Sequence, residues 1–440
     1  MTILYDLIFI LFSIVYLPYL VFTGRYHKDI WQRFGRYPEG SIEALAGEPV
    51  IWIHAVSVGE VMASVALCEA IIRKYPDKRL VISTITKTGN DVAKKHLEGK
   101  ATVIYLPVDL SPVVNRVLDR IRPSLFIIIE TELWPNLIRA LSKRKIPVVL
   151  VNGRISPGSY RHYKMIRPLF KGVLENMTLF CMQSEEYAER IKNIGAPAER
   201  VVVTGSIKFD AADTASKAFA KGFSDEKEIR RDLGLREDEM LLIAGSTHRP
   251  EENTVLEIYS DLLKASPGLR LLIAPRHIDR VPEIEALAKK ADFCTVRASS
   301  ASRAPLTANR EPQTANHRAP VIILDTMGRL SRIFSIGTVI FIGGSLMPKG
   351  GQNILEPAIF SKAILFGPHM FNFKDIAEEF VSKDAACMVK DGKDLFKNLD
   401  RLLRDTPARE SMGHRARALM EKKMGATGRT MVQLEKVFIL

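Results

Sequence analysis

The chain has 440 residues, too many for one compact core, so two domains of ordinary size are expected. Hydrophobic residues at 47% and charged residues at 26% exclude a disordered chain; four scattered cysteines (Cys68, Cys181, Cys294, Cys387) without C-x-x-C spacing argue against a disulfide framework and fit a reducing cytosol. The net charge of +13, from 63 Lys plus Arg against 50 Asp plus Glu, calls for an anionic membrane face, an acidic substrate or nucleic acid.

Residues 3–22 are almost wholly apolar and aromatic, with Asp6 and Pro18 the main interruptions. A helix of about 20 residues spans a bilayer core. No Lys or Arg precedes the run, whereas Arg25, His27, Lys28, Arg33 and Arg36 follow it. That order is the reverse of a secretory signal and places the body of the protein on the cytoplasmic side. Residues 1–22 are therefore expected to anchor the chain; a spanning helix and one lying in the interface both stay open. Every chemical motif begins at His54 or later, so this segment is expected to localise the protein and not to build its site.

Short apolar runs at 50–55, 80–84, 102–106, 125–129, 147–151, 179–182 and 201–204 predict buried parallel strands, with amphipathic helices at 61–74, 112–122 and 135–145. The pattern restarts after a polar, alanine-rich linker at 211–225, with strands at 240–244, 271–274, 321–324, 338–342 and 363–366. Residues 298–319, poor in large apolar side chains, read as a surface insertion. The prediction is α/β: two doubly wound domains at 23–210 and 226–440, the second carrying the C-terminal helices. Ligands are expected at strand C-termini and in the cleft between domains.

Common explanations for such a fold fail. The chain has no G-x-x-x-x-G-K-[ST], no G-x-G-x-x-G after a strand, no G-x-S-x-G and no H-E-x-x-H, so P-loop, dinucleotide, hydrolase and zinc-site readings lack support. The strand ends are more informative. His54, Ser57, Gly59 and Glu60 leave the first strand and enter a helix, where Glu60 either works in the cleft or merely complements the helix dipole. Glu130 and Glu132 stand at another strand end, before a helix opened by Pro135; capping, with Trp134 filling the core, is the plainer alternative. Lys208 follows the last strand of the first half, placed to reach a phosphate across the cleft or to be solvated.

In the second half, Gly245, Ser246, Thr247 and His248 offer hydroxyls and free N–H groups to an anion. Pro275, Arg276 and His277 follow the next strand, and Arg276 suits a phosphate. Asp325, Met327 and Gly328 open another helix. Gly343, Gly344, Gly350 and Gly351 lead to Asn353, Ile354, Leu355 and Glu356, a glycine-rich loop followed by an acid suited to ribose hydroxyls. Glycine turns and caps explain any one of these; four at successive strand ends point to an activated-sugar site.

Together, residues 54–60, 130–136, 275–277 and 353–357 make the chain resemble the 3-deoxy-D-manno-octulosonic acid (Kdo) transferases of Gram-negative bacteria. The resemblance runs from the apolar N-terminus through residues 367–374. It implies a GT-B fold of two Rossmann-like domains plus the N-terminal apolar helix, with acceptor handled by the first domain and CMP-Kdo by the second. It implies Glu60 as general base, with Glu130 and Lys208 assisting at the transition state. Ser246, Pro275, Arg276, His277, Met327, Gly328, Gly344 and Asn353, Ile354, Leu355 and Glu356 would bind the donor. The implied reaction is inverting transfer of Kdo from CMP-Kdo to a lipid A precursor, lipid IV-A, in lipopolysaccharide biosynthesis, on the cytoplasmic side of the inner membrane. CMP-Kdo is then a substrate, no cofactor or metal is expected, and the partners are the lipid acceptor and an anionic membrane surface, not nucleic acid. Ser206, Gln352, Arg329 and residues 157–159 depart from the family pattern, which would place an asparagine, a histidine and an acid at the first three.

The chemistry agrees with these roles. A sugar hydroxyl is a poor nucleophile, so a carboxylate that takes its proton lowers the barrier. Attack on the anomeric carbon expels a charged phosphate, which Arg276, helix N-termini and Lys208 can stabilise. One base and one displacement imply inversion. Two rivals remain: a GT-B transferase using a UDP-sugar, separated by nucleotide competition, and a non-catalytic membrane-bound sensor, which would not need Glu60.

Overall fold

The computed structural model describes residues 5–11, 13–14, 28–42, 45, 47–221, 226–301 and 318–439. It divides into two units: Met1–Ala211 with Lys423–Leu440, and Ala212–Lys422.

The first unit is built on a seven-stranded sheet: β1 (Val50–His54), β2 (Arg79–Thr84), β3 (Thr102–Tyr105), β4 (Pro123–Ile129), β5 (Val148–Gly153), β6 (Leu179–Met182) and β7 (Val201–Val203). Its order is β3-β2-β1-β4-β5-β6-β7, and every pairing is parallel. Helices cover both faces, so central strands such as β1 are buried at every position and read as continuous apolar runs. Trp52 and Phe126 pack edge to face on neighbouring strands, ring centroids 5.0 Å apart. Each such side chain, fully buried, contributes roughly 1.5–3 kcal/mol.

The second unit repeats the plan with β8 (Met240–Thr247), β9 (Leu269–Pro275), β10 (Phe293–Arg297), β11 (Arg318–Ile323), β12 (Val339–Ile342), β13 (Ala363–Phe366) and β14 (Cys387–Met388). The order is β10-β11-β9-β8-β12-β13-β14, again parallel throughout. In each sheet the chain reverses its direction of winding beside its first strand: between β1 and β4, and between β8 and β12. The crevice outside the carboxyl ends of such strands is where open α/β sheets bind ligands.

Several expectations need correction. Strands β10 and β14 went unread, the first because it is a partly exposed edge and the second because it has two residues. The expected linker is helical as far as it is described, within the helix Ile207–Lys221. Of the expected insertion, the described ends are the short helix Ala298–Ala301 and the start of β11; residues 302–317 lie outside the described residues. The C-terminal helix Ala426–Ile439 was assigned to the second domain but packs in the first unit. There Met431, Leu434 and Val437 join a core containing Ile51 and Ile53. Polar ties reinforce that return: Asp210 accepts the N–H groups of Gly425 and Thr427, and Arg429 Nε donates to the Thr204 carbonyl at 2.8 Å.

Of the expected anchor, residues 5–11 and 13–14 are helical, and the rest of 1–22 lies outside the described residues. Among the described residues no helix is long and apolar enough to cross a membrane.

Candidate active site

Glu60 and Glu130 stand on the two sides of the first unit's crossover, after β1 and β4. The extended Ser57 precedes the helix Val58–Lys74, and Glu60 lies in its first turn. The Glu60 carboxylate accepts the Val56 N–H at 2.8 Å and the Ser57 hydroxyl at 3.0 Å, which fixes its orientation. Burial pushes its pKa up from 4.5 to about 7, and the neighbouring Glu130 charge adds to the rise. A carboxylate poised near neutrality is suited to taking a proton, a role a helix-dipole acid does not need. Glu132 is raised too, by burial and by Glu130.

Glu130 has a left-handed backbone, φ 62°, unusual for a residue with a side chain, and its N–H is held by the Val151 carbonyl. Its carboxylate meets Lys208 Nζ at 2.8 Å, and both side chains are largely buried. Lys208 lies in the first turn of the helix Ile207–Lys221. Asn152, also left-handed at φ 58°, accepts the Ile207 N–H through Oδ1, so β5 positions the helix that presents Lys208. Behind these groups His54 is fully buried, and burial lowers its pKa to about 4. It stays neutral, with Nδ1 against the Ser83 carbonyl at 3.1 Å, and supports the strand end from within.

The second crossover is organised differently. Ser246 closes β8 with φ 57°, and Gly344 follows β12 with φ 66°. A Cβ on Gly343 would sit 2.5 Å from Thr247 Cα, so only glycine lets the two strand ends approach this closely. Glu251 locks the junction: its buried carboxylate accepts the N–H groups of His248, Gly344, Ser345 and Leu346 at 2.7–3.0 Å. From sequence Glu251 is one more acid in a helix's first turn; its long-range backbone partners leave no local signal. A second unread pair, Arg280 and the fully buried Glu252 at 2.7 Å, braces the same helix.

Cations collect around this junction. Pro275 ends β9, and Arg276 follows, exposed, its N–H on the Thr247 carbonyl at 3.0 Å. The rings of His248 and His277 stand 5.7 Å apart. The His248 pKa is lowered first by burial and then by its neighbours His277, Lys349 and Arg276. Met327 and Gly328 form an exposed turn after β11. Asn353 and Ser331 both donate to the Glu356 carboxylate, whose pKa burial raises while the charge of Arg276 opposes the rise. Each Glu356 oxygen keeps a lone pair for a further donor. Ile354 and Leu355 have almost no exposed surface and support the loop from inside.

The departures are accommodated locally. Ser206 keeps a buried hydroxyl that has no hydrogen-bond partner among the described residues, and Arg329 approaches Asp232 at 3.7 Å. Gln352 lies close to Gly344. Pro157 simply opens the helix Pro157–Met165, capped by Ser156. One tie crosses an expected division: Asp6, in the N-terminal helical stretch, accepts the Asn136 side-chain amide at 2.7 Å.

The family model described as 3-deoxy-D-manno-octulosonic-acid transferase (kdotransferase) matches residues 28–211. A 3-deoxy-D-manno-octulosonic acid transferase of Haemophilus influenzae is 32% identical over 92% of this chain and 91% of its own length. A bifunctional glycosyltransferase/methyltransferase of Fusobacterium nucleatum is 35% identical over 81% of this chain, which spans only 53% of that longer protein. Among solved structures, a UDP-GlcNAc 2-epimerase of Neisseria meningitidis has a TM-score of 0.59 at 13% identity, covering 89% of this chain and 100% of its own, which shows a shared fold.

Proposed function

The chain belongs to the 3-deoxy-D-manno-octulosonic acid transferase family, and we propose that it moves Kdo from CMP-Kdo to lipid IV-A with inversion, Glu60 acting as the base. The observation that carries this reading is the half-buried Glu60 carboxylate in the first helical turn after β1, oriented by the Val56 N–H and the Ser57 hydroxyl beside Glu130, with its pKa raised to about 7. An acceptor hydroxyl gives its proton to Glu60 as its oxygen attacks the anomeric carbon of Kdo. The bond from that carbon to the phosphate oxygen breaks, and CMP departs with the electron pair. Lys208, oriented by Glu130, offers positive charge to the departing phosphate, and in the second unit the exposed Arg276 suits a phosphate of the nucleotide. Met327 with Gly328 and the Asn353–Glu356 pair hold the nucleotide, and the Gly344 loop, its own N–H groups taken by Glu251, lets it approach closely. No bound metal or cofactor enters these steps.

The acceptor carries phosphates and acyl chains, which suits the charge of +13 and an anchored enzyme. We place the protein on the cytoplasmic face of the inner membrane. Support comes from Leu7, Ile8, Ile10, Leu11 and Ile14, an exposed apolar row on the N-terminal helical stretch, and from the basic residues that follow it.

The test is incubation with CMP-Kdo and a tetraacylated lipid A precursor, with product masses read out. Masses raised by whole Kdo units are expected. CMP-Kdo binding without product would favour the sensor, and transfer from a UDP-sugar instead would favour the other transferase.

A further inference from the structure

The same N-terminal helical stretch that exposes Leu7, Ile8 and Leu11 turns Tyr5, Asp6 and Phe9 inward. Asp6 Oδ1 accepts the Ser111 N–H at 3.1 Å and the Asn136 side-chain amide at 2.7 Å. Asn136 is held on its other side by Asp109, whose carboxylate accepts the Asn136 and Leu137 N–H groups at 3.0 and 2.8 Å. Tyr5 hydrogen-bonds the same carboxylate. The loop that begins at Glu130 and carries Glu132 runs to Trp134, and Asn136 is the second residue of the helix Pro135–Lys143 that follows, so the loop is pinned at both ends: by β5 at Glu130 and by this polar knot at the helix start.

We propose that Asp6 is a positioning residue for the Glu130–Asn136 loop, so that docking of the N-terminal helix sets the geometry of the acid cluster as well as the protein's location. The proposal rests on the functional reading above and corrects the expectation that residues 1–22 only localise the chain. An apolar helix that merely anchors has no use for a carboxylate on its inner face; here that carboxylate bonds two helix starts, Ser111 and Asn136, and the opposite face is left apolar.

The test compares substitutions on the two faces, with acceptor dispersed in detergent so that membrane binding drops out. Asp6→Ala is expected to lower kcat about tenfold at unchanged KM for CMP-Kdo. Asp6→Asn keeps an oxygen that accepts both bonds and should restore most of the rate. Ser111→Pro removes one bond without touching Asp6, at a helical first position where proline is tolerated, and should cost two- to threefold. The outward triple variant Leu7→Ser, Ile8→Ser, Leu11→Ser should lose binding to anionic vesicles at full turnover. Unchanged kcat in both Asp6→Ala and Ser111→Pro overturns the proposal, as does an Asp6→Asn enzyme as slow as Asp6→Ala. Should Asp6→Ala fail to fold, the Ser111→Pro and Asp6→Asn rates decide. Full activity of Glu60→Gln, by contrast, overturns the functional reading and not the tie.

Discussion

The two crossover points share a topology and differ in how they use charge. Beside β1 and β4, acids are gathered: Glu60, Glu130 and Glu132 crowd one another, and burial keeps Glu60 near neutrality. Beside β8 and β12, the acids Glu251, Glu252 and Glu356 are taken up by backbone N–H groups, Arg280, Asn353 and Ser331, while Arg276 and His277 stand exposed. Glu60 accepts two donors and faces the charges of Glu130 and Glu132, whereas Glu251 accepts four backbone N–H groups and is committed to holding a shape. On the proposed reading the first crossover carries the chemistry and the second holds an anion, although both grow from the same strand–loop–helix unit.

The sharpest way to break this contrast is Glu60→Gln. Removing the proton acceptor is expected to lower kcat by about a hundred- to ten-thousandfold while calorimetric CMP-Kdo affinity stays near normal. Near-normal turnover would put the chemistry elsewhere. Glu251→Ala is the converse at the second crossover. It orphans four N–H groups and should lower unfolding free energy by roughly 2–4 kcal/mol, with a parallel loss of CMP binding. An unshifted denaturation midpoint with full CMP affinity would show that the junction needs no lock.

Arg276→Ala comes next. Losing one charged contact to a phosphate should weaken CMP binding by about 1.5–3 kcal/mol, read by calorimetry, and leave the Glu60 pH profile in place. Unchanged affinity would move the nucleotide away from β9.

The smallest effect concerns pH. Only ionised Glu60 accepts a proton, so kcat/KM should rise with pH to a half-point near 7, a step absent from Glu60→Gln. The stability effect runs the other way. A raised carboxyl pKa stabilises the fold fully below 4.5 and loses that contribution as pH passes 7. Above pH 7, therefore, Glu60→Gln should be more stable than the parent by about 1–2 kcal/mol in urea titrations.

How much of this was readable in the chain depends on the range over which each signal acts. Central strands announce themselves because both faces are buried, so β1 and β4 carry uninterrupted apolar residues. Glu60, Glu130 and Lys208 could be singled out because each follows a strand end, where such a fold places ligands, and the structure brings Glu130 and Lys208 into contact. Glu251 could not be, since all its partners but His248 lie 93 to 95 positions away, and neither could Asp6, bonded to Asn136 at a separation of 130. The helix Ala426–Ile439 was assigned to the second domain by its place in the chain, which says nothing of which core it fills.

That returning helix bears on how the protein is made. The second unit is an insertion within the first, complete once Lys422 has been synthesised, whereas the first awaits the helix Ala426–Ile439 to cover Ile51 and Ile53. On the ribosome the order of closing is thus inverted relative to the order of translation. The unit begun first closes after the second, and the acid cluster is assembled on a scaffold whose covering helix is made only once the second unit is complete.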